Sequence, residues 1–330
     1  MEKFIISGPV AVCCQVLRRA GFATYPVGGG VRDLLLGKKP ADWDLTTAAL
    51  PQQIQNLFDR TIPTGIAHGT VTVLLDGTPL EVTTFRSEQG YSDGRHPDEV
   101  AFGVSLLEDL QRRDFTINAM ALDEDGTVID PFDGQGDLAR KLVRCVGDPA
   151  VRFGEDALRM LRCLRFAAQL GFSVEEKTLA AVRENAALAA RLSPERVTAE
   201  LQKTILSTYP AMAGKMAELG LLEPYLPKGQ CYDLTGLEDC PATAEERWRF
   251  FCAATGLEIE RLPVSRSIRR AVHYSPADDP GTLALTGGEL YKLGLRGGAI
   301  SAAQRKLLGF VADHPEKNTK EELLARLGTE

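Results

Sequence analysis

VGGGVRDLLLGKKPADWDLT, residues 27–46, sets glycines, an Arg-Asp pair and two aspartates close together. Gly28, Gly29 and Gly30 come first, then Arg32 and Asp33, then an apolar turn, Leu34 to Leu36, ended by Gly37. A basic link leads into Asp42-Trp43-Asp44-Leu45. With a strand over 42–45, alternate side chains share a face, so Asp42 and Asp44 point one way and Trp43 and Leu45 the other. Neighbouring carboxylates disfavour each other's ionisation. Such a pair suits a divalent cation between them, and octahedral Mg²⁺ takes oxygen ligands that it shares with substrate phosphates. Glycines let backbone N–H groups approach a phosphate. The stretch reads as a phosphate cradle followed by metal ligands, a site for a nucleoside triphosphate. The plainer alternatives are a turn and a solvated Asp-x-Asp loop. G-x-G-x-x-G is absent, and no G-K-[ST] follows the glycines.

Upstream, residues 9–20 predict an amphipathic helix closed by Gly21, a reading preferred to a signal peptide because Gly8-Pro9 and Arg18-Arg19 interrupt the apolar run. Residues 22–27 predict a strand feeding the glycines. Downstream, residues 50–58 predict a helix. Residues 61–86 alternate and predict two antiparallel strands turning at Asp76-Gly77, with His68 at the start of the first and Glu81 on the second. Residues 87–99 are polar and Gly-rich and predict a mobile loop. From about Leu138 the pattern turns helical. Asp148-Pro149 opens one helix, and a second is expected from Glu155 to Gly171. On it Asp156 and Arg159 share a face, opposite an apolar stripe of Leu158, Leu161, Leu164 and Ala168. Spacing alone makes Asp156 and Arg159 an i,i+3 surface ion pair. Arg165 falls inside the apolar arc and needs a partner or a route out to solvent. Two more helices are expected over 174–207, broken at Ser193-Pro194, with Arg191, Arg196 and Lys203 facing either phosphates or solvent.

With 330 residues and a net charge of −7, the chain holds two or three domains, and any RNA surface is a local basic patch on an acidic body. The seven cysteines lack C-x-x-C spacing and their odd number makes a poor disulfide framework. Reduced thiols in a cytoplasmic protein are expected. No stretch suits a membrane span.

GGGVRDLLLG…DWDL resembles the head of the tRNA nucleotidyltransferases and bacterial poly(A) polymerases, within the polymerase-beta-like nucleotidyltransferase superfamily. EVTTFR (81–86), RRDFTINA (112–119), EDALRMLR (155–162) and the segment from Ser193 to Leu201 resemble its further motifs. The resemblance, nearest to the bacterial-type CCA-adding enzymes, is dense over 22–205 and thins beyond Tyr209. It implies an α+β fold: a small mixed sheet with helices as a catalytic head (1–137), a helical neck (138–207) that recognises the base, and a helical body and tail (208–330) that bind tRNA. It implies addition of CMP, CMP and AMP from CTP and ATP to a tRNA 3′ end with release of pyrophosphate. Asp42 and Asp44 would hold two Mg²⁺, with Glu81 the candidate third carboxylate and His68 in a loop near the substrate. Gly29, Arg32 and Arg113 would meet phosphates, and Asp114 and Asn118 would brace the fold. Asp156 and Arg159 would read the base, with Arg162 and Arg165 as further nucleotide contacts. Cytosine and adenine both present an amino donor beside a ring-nitrogen acceptor, which a carboxylate and a guanidinium complement; uracil and guanine would leave those groups unpaired. The loop at 87–99 has the length of the family's element for the switch from C to A addition. The rival readings are an A-adding or CC-adding partial enzyme, a poly(A) polymerase, an RNA-binding module without catalysis, and an enzyme acting on a small molecule. Oligomeric state, monomer or homodimer, is left open.

Overall fold

The computed structural model describes residues 4–6, 8–91, 94, 97–227, 232–273 and 279–328. They form two compact units, Met1–Pro263 and Val264–Glu330. The boundaries expected at 137/138 and 207/208 both fall inside the first unit.

Helix α1 (Pro9–Arg19) buries Val10, Cys13, Cys14 and Leu17, one stripe at helical spacing. Strand β1 (Thr24–Val27), helix α2 (Gly29–Leu35), strand β2 (Asp44–Thr47) and helix α3 (Pro51–Leu57) follow. The segment expected as two strands forms three: β3 (Thr61–Gly65), β4 (Thr70–Leu75) and β5 (Thr78–Thr84). Asp76 and Gly77 both take positive φ, 49° and 75°, as a tight two-residue hairpin turn requires. β3 lacks an apolar face and contains Pro63, and it lies at the edge of the sheet, where a missing N–H is tolerated.

With the short strands β8 (Ala121–Leu122) and β9 (Val128–Ile129), these make a seven-stranded sheet in the order β3-β4-β5-β2-β1-β8-β9. Only β2 and β5 pair in parallel within it. Period-two alternation divides its faces. Leu45, Val71, Val73, Leu80 and Val82 join Cys13, Leu17 and Ile54 in one core. Asp44, Thr72 and Glu81 project from the other face into a cleft.

β6 (Arg86–Gln89) and β7 (Glu99–Phe102) form a separate antiparallel ribbon at the base of the polar loop. Ser92, Asp93, Arg95 and His96 of that loop, and Cys231, lie outside the described residues; the other six cysteines are free thiols. Helix α4 (Leu106–Gln111) starts at Ser105, whose hydroxyl and the Glu108 carboxylate cap each other's backbone N–H. Helices α5 (Gly134–Arg140), α6 (Pro149–Glu155), α7 (Leu158–Leu170), α8 (Glu176–Asn185), α9 (Pro194–Ile205), α10 (Met212–Glu218) and α11 (Ala244–Thr255) complete the unit. α7 is buried on nearly every side and packs against α9 and α10.

α11 is joined to the end of α9 by Arg247, which is 5% exposed and donates from Nη1 to the carbonyls of Ile205 (2.8 Å) and Ser207 (2.7 Å). Arg247→Met strips two buried carbonyls of a charged donor. It should lower the unfolding free energy by about 3 kcal/mol, read from urea denaturation followed by circular dichroism.

The second unit holds α12 (Arg266–Val272), α13 (Gly287–Lys292), α14 (Gly298–Asp313) and α15 (Lys320–Leu327). The last three close on Leu290, Leu307, Leu308 and Leu323. No helix among the described residues is long and apolar enough to cross a membrane.

Candidate active site

The sheet register builds the carboxylate cluster. Val27 pairs with Asp44 across β1 and β2, and Asp44 pairs with Glu81 across β2 and β5. Paired residues in register share a face, so Asp44 and Glu81 stand side by side. The chain leaves β1 straight into Gly28, beside Asp44. Gly28 has φ 74° and ψ −138°, a region that L side chains avoid. A Cβ there would lie 3.2 Å from Arg113 Nη1 and 3.3 Å from Asp44 Oδ2. At Gly30 a Cβ would lie 2.7 Å from the Trp43 ring and 3.1 Å from the Asp42 carbonyl, so only hydrogen fits between helix α2 and the Asp42-Trp43 backbone.

β2 begins at Asp44, not at Asp42. On the β1 side the pairing stops there, because β1 ends at Val27 and the chain turns into Gly28; β5 continues back to Thr78, but its ladder with β2 also begins only at Asp44. Trp43 nevertheless packs with Leu45 on the core side, and Asp42 lines the cleft with Asp44. The cluster repels itself. Loss of water raises the Asp44 pKa; Arg113 opposes the rise and Asp42 adds to it. Glu81 is raised for the same reason, with Asp44 and then Asp42 contributing. Among the described residues no three His, Cys, Asp or Glu side chains are arranged to hold a metal by themselves.

The ten residues expected to meet metal, phosphate or base all line one cleft of about 950 Å³. Gly29, Arg32, Asp42, Asp44, Glu81 and Arg113 come from the sheet side. Asp156, Arg159, Arg162 and Arg165 come from the helical side. Each arginine has a holder. Arg32 donates to Asn118 Oδ1 and to Asp33 Oδ1, both at 2.8 Å. Arg162 meets the buried Asp114 through Nε (2.7 Å) and Nη2 (2.6 Å). Burial works against the ionised Asp114, but Arg162 outweighs it and the pKa lies below the usual range. Asp114 and Asn118 therefore brace the cleft's own arginines. Arg165, the charge inside the apolar arc, finds Glu200 and Gln169. The Phe166 ring lies under three guanidinium groups, with Arg32 and Arg162 at 5.3 Å and Arg165 at 3.9 Å from its centroid.

The helix expected from Glu155 begins only at Leu158. Asp156 is extended (φ −148°, ψ 106°), and its Oδ1 accepts from the Leu158 N–H at 3.0 Å, starting α7 as a cap. The expected i,i+3 ion pair is replaced by other partners. Asp156 Oδ2 accepts from Arg196 Nη2 at 2.7 Å. Arg159 Nη1 meets Glu155 and the Arg152 carbonyl, and its Nη2 donates to the Arg112 carbonyl at 3.3 Å. Arg196 and Lys203 line the cleft, whereas Arg191 is exposed and outside it. His68 sits in a short 3-10 turn before β4, and its carbonyl accepts from Arg86. Asp109, Phe166 and Glu200, which the sequence did not single out, belong to this arrangement, as does Arg112, met there only as the first residue of RRDFTINA. Each looks like an ordinary helix residue until its long-range partner is known.

Residues 24–144 match the family model of the poly(A) polymerase head domain, and residues 171–231 that of a probable RNA- and SrmB-binding site of polymerase A. The CCA-adding enzyme of Limosilactobacillus fermentum is 55% identical over 205 residues, 62% of this chain and 50% of that protein. The CCA-adding enzyme of Geobacillus stearothermophilus is 42% identical over 297 residues, 85% of this chain and 73% of that protein. A crystal structure of the Bacillus stearothermophilus CCA-adding enzyme in complex with CTP aligns with a TM-score of 0.66 at 32% identity, covering 98% of this chain and 99% of that one. The chain thus spans about half the length of the L. fermentum relative and 62% of the one from Geobacillus thermodenitrificans. Since the identity to the G. stearothermophilus protein extends over 73% of its length, and the head and RNA-binding models both match, the chain belongs to the CCA-adding enzyme family.

Proposed function

We propose that the chain adds CMP, CMP and AMP, taken from CTP and ATP, to a tRNA 3′ end and releases pyrophosphate. One observation carries this reading: the Asp42, Asp44 and Glu81 carboxylates and the Asp156 and Arg159 side chains line the same cleft. The head of residues 1–137 would perform the transfer, residues 138–207 would read the base, and residues 208–330 would hold tRNA. The relatives named as CCA-adding enzymes support the reaction class.

The donor set is all carboxylate, self-repelling and too sparse for a closed cage. That suits a hard divalent cation that takes its other ligands from phosphates and water. Asp42 and Asp44 would hold two Mg²⁺, with Glu81 the third candidate. When bound, such ions lower the pKa of the attacking ribose hydroxyl and neutralise the leaving pyrophosphate. Gly29, Arg32 and Arg113 would orient the triphosphate, with Arg162 and Arg165 as further contacts. Asp156 spends two of its roughly four acceptor positions on Leu158 and Arg196, so it keeps capacity for an amino group. Arg159 can still donate to a ring nitrogen. Cytosine and adenine satisfy both groups, and uracil and guanine satisfy neither.

The test uses tRNA transcripts ending before CCA, after C and after CC, each incubated with Mg²⁺ and single or mixed nucleoside triphosphates. Completion of CCA and a stop there is the expected result. A halt at CC or addition of the last A alone would make this a partial enzyme, and a long A tail a poly(A) polymerase. No incorporation would overturn the reading.

A further inference from the structure

Asp109 has no solvent exposure and is bonded to Arg112 and Arg113, which line the cleft. Its Oδ1 accepts from Arg112 Nε (3.0 Å) and Nη2 (2.9 Å) and from the Arg86 N–H (3.4 Å). Its Oδ2 accepts from the Thr46 hydroxyl (3.0 Å) and from Arg113 Nη2 (3.4 Å). One carboxylate is thereby tied to β2, to the start of β6 and to both arginines that follow α4. A buried carboxylate is costly unless it is saturated with partners. Burial opposes its ionisation, yet Arg112 and Arg113 prevail and keep its pKa below the usual range.

Arg113 stands between two anions. On one side is Asp109; on the other, across the gap that the missing Gly28 side chain leaves open, is Asp44. Arg112 is committed elsewhere, to Glu88 at 3.2 Å as well as to Asp109. Thr46 is two residues beyond Asp44 on the same strand and face, so its bond to Asp109 fixes where the anchor stands relative to Asp44. An arginine released from Asp109 would find Asp44 as the next carboxylate in reach.

We infer that Asp109 is a positioning residue: it holds Arg113 off Asp44, leaving Asp44 free for a divalent cation and Arg113 free for phosphate. The inference rests on the reading of Asp44 as a metal ligand. The experiment titrates Mn²⁺ into the full chain and follows the free ion by electron paramagnetic resonance, with a thermal melt to confirm that each variant is folded. Asp44→Asn must first weaken binding relative to the wild type. Asp109→Asn is then expected to weaken it about tenfold, the order of one close charge pair at a hydrated site. In an Arg113→Gln background the same Asp109→Asn exchange should leave binding unchanged, since there is no cation left to occupy Asp44. A purely packing role would lower binding in both backgrounds. Asp109→Ser, which leaves room for water, serves in both backgrounds if Asn does not fold. Wild-type affinity in Asp109→Asn, or an equal loss with and without Arg113, overturns the inference. Equal binding by the wild type and Asp44→Asn overturns the metal reading and this inference with it.

Discussion

Under the proposed function, Asp44→Asn is expected to lower the rate of CMP addition by about 10³-fold or more, because losing a ligand of the proposed metal site removes several kcal/mol of transition-state stabilisation. The same variant should melt no lower than the wild type in the absence of divalent ions. The sign follows from the cluster. A carboxyl whose pKa is raised by folding stabilises the native state only while protonated, and that contribution disappears as pH rises through its unfolded and then its folded pKa. When ionised, Asp44 is a burden on the fold, since lost hydration and Asp42 both oppose its charge, with Arg113 as partial relief. An asparagine of the same shape removes the burden. Lost turnover together with a lower melting temperature would instead assign Asp44 to the architecture.

Asp156→Ala addresses nucleotide choice. It should lower CMP and AMP addition to a common extent, about 10²-fold, the worth of a charge-assisted hydrogen bond of nearly 3 kcal/mol. UMP addition should change little, because uracil offers that position no donor. The measurement is single-turnover incorporation on a transcript ending before CCA, with CTP and UTP in separate reactions. Arg196→Met is the control: it removes Asp156's ion-pair partner and leaves the carboxylate in place. A uniform loss for CTP and UTP would mean that Asp156 only caps α7.

Sequence carried the site further than its scaffolding. The glycines and the paired aspartates are legible because their chemistry is local, whereas Glu81, the cleft arginines and the base-reading role of Asp156 rested on the resemblance to the family. What stayed hidden depended on partners distant along the chain. Asp42 falls outside β2, whose ladders with β1 and with β5 both begin at Asp44, a fact of pairing and not of alternation. Asp156 breaks the helix on which periodicity places it, because a carboxylate that caps a backbone N–H competes with helical geometry. β3 lies within the alternating stretch 61–86, but it lacks an apolar face and contains Pro63, so the pattern did not set it apart from the strand that follows. Asp109 resembles a solvated acid near the start of an amphipathic helix, until Thr46, Arg86, Arg112 and Arg113 converge on it.

The parallel pairing of β2 with β5 also bears on how the protein is made. Parallel neighbours cannot be joined by a tight turn, and here α3, β3 and β4 are threaded between Asp44 and Glu81. The two carboxylates meet only after that whole excursion has folded back, a contact whose loop-closure entropy must be met before any local gain. A chain emerging from the ribosome therefore carries its first aspartates well before it owns a pocket for them. Cation affinity should appear late in refolding, after the helices and the β4–β5 hairpin, and stopped-flow Mn²⁺ uptake set against far-ultraviolet circular dichroism would show the lag.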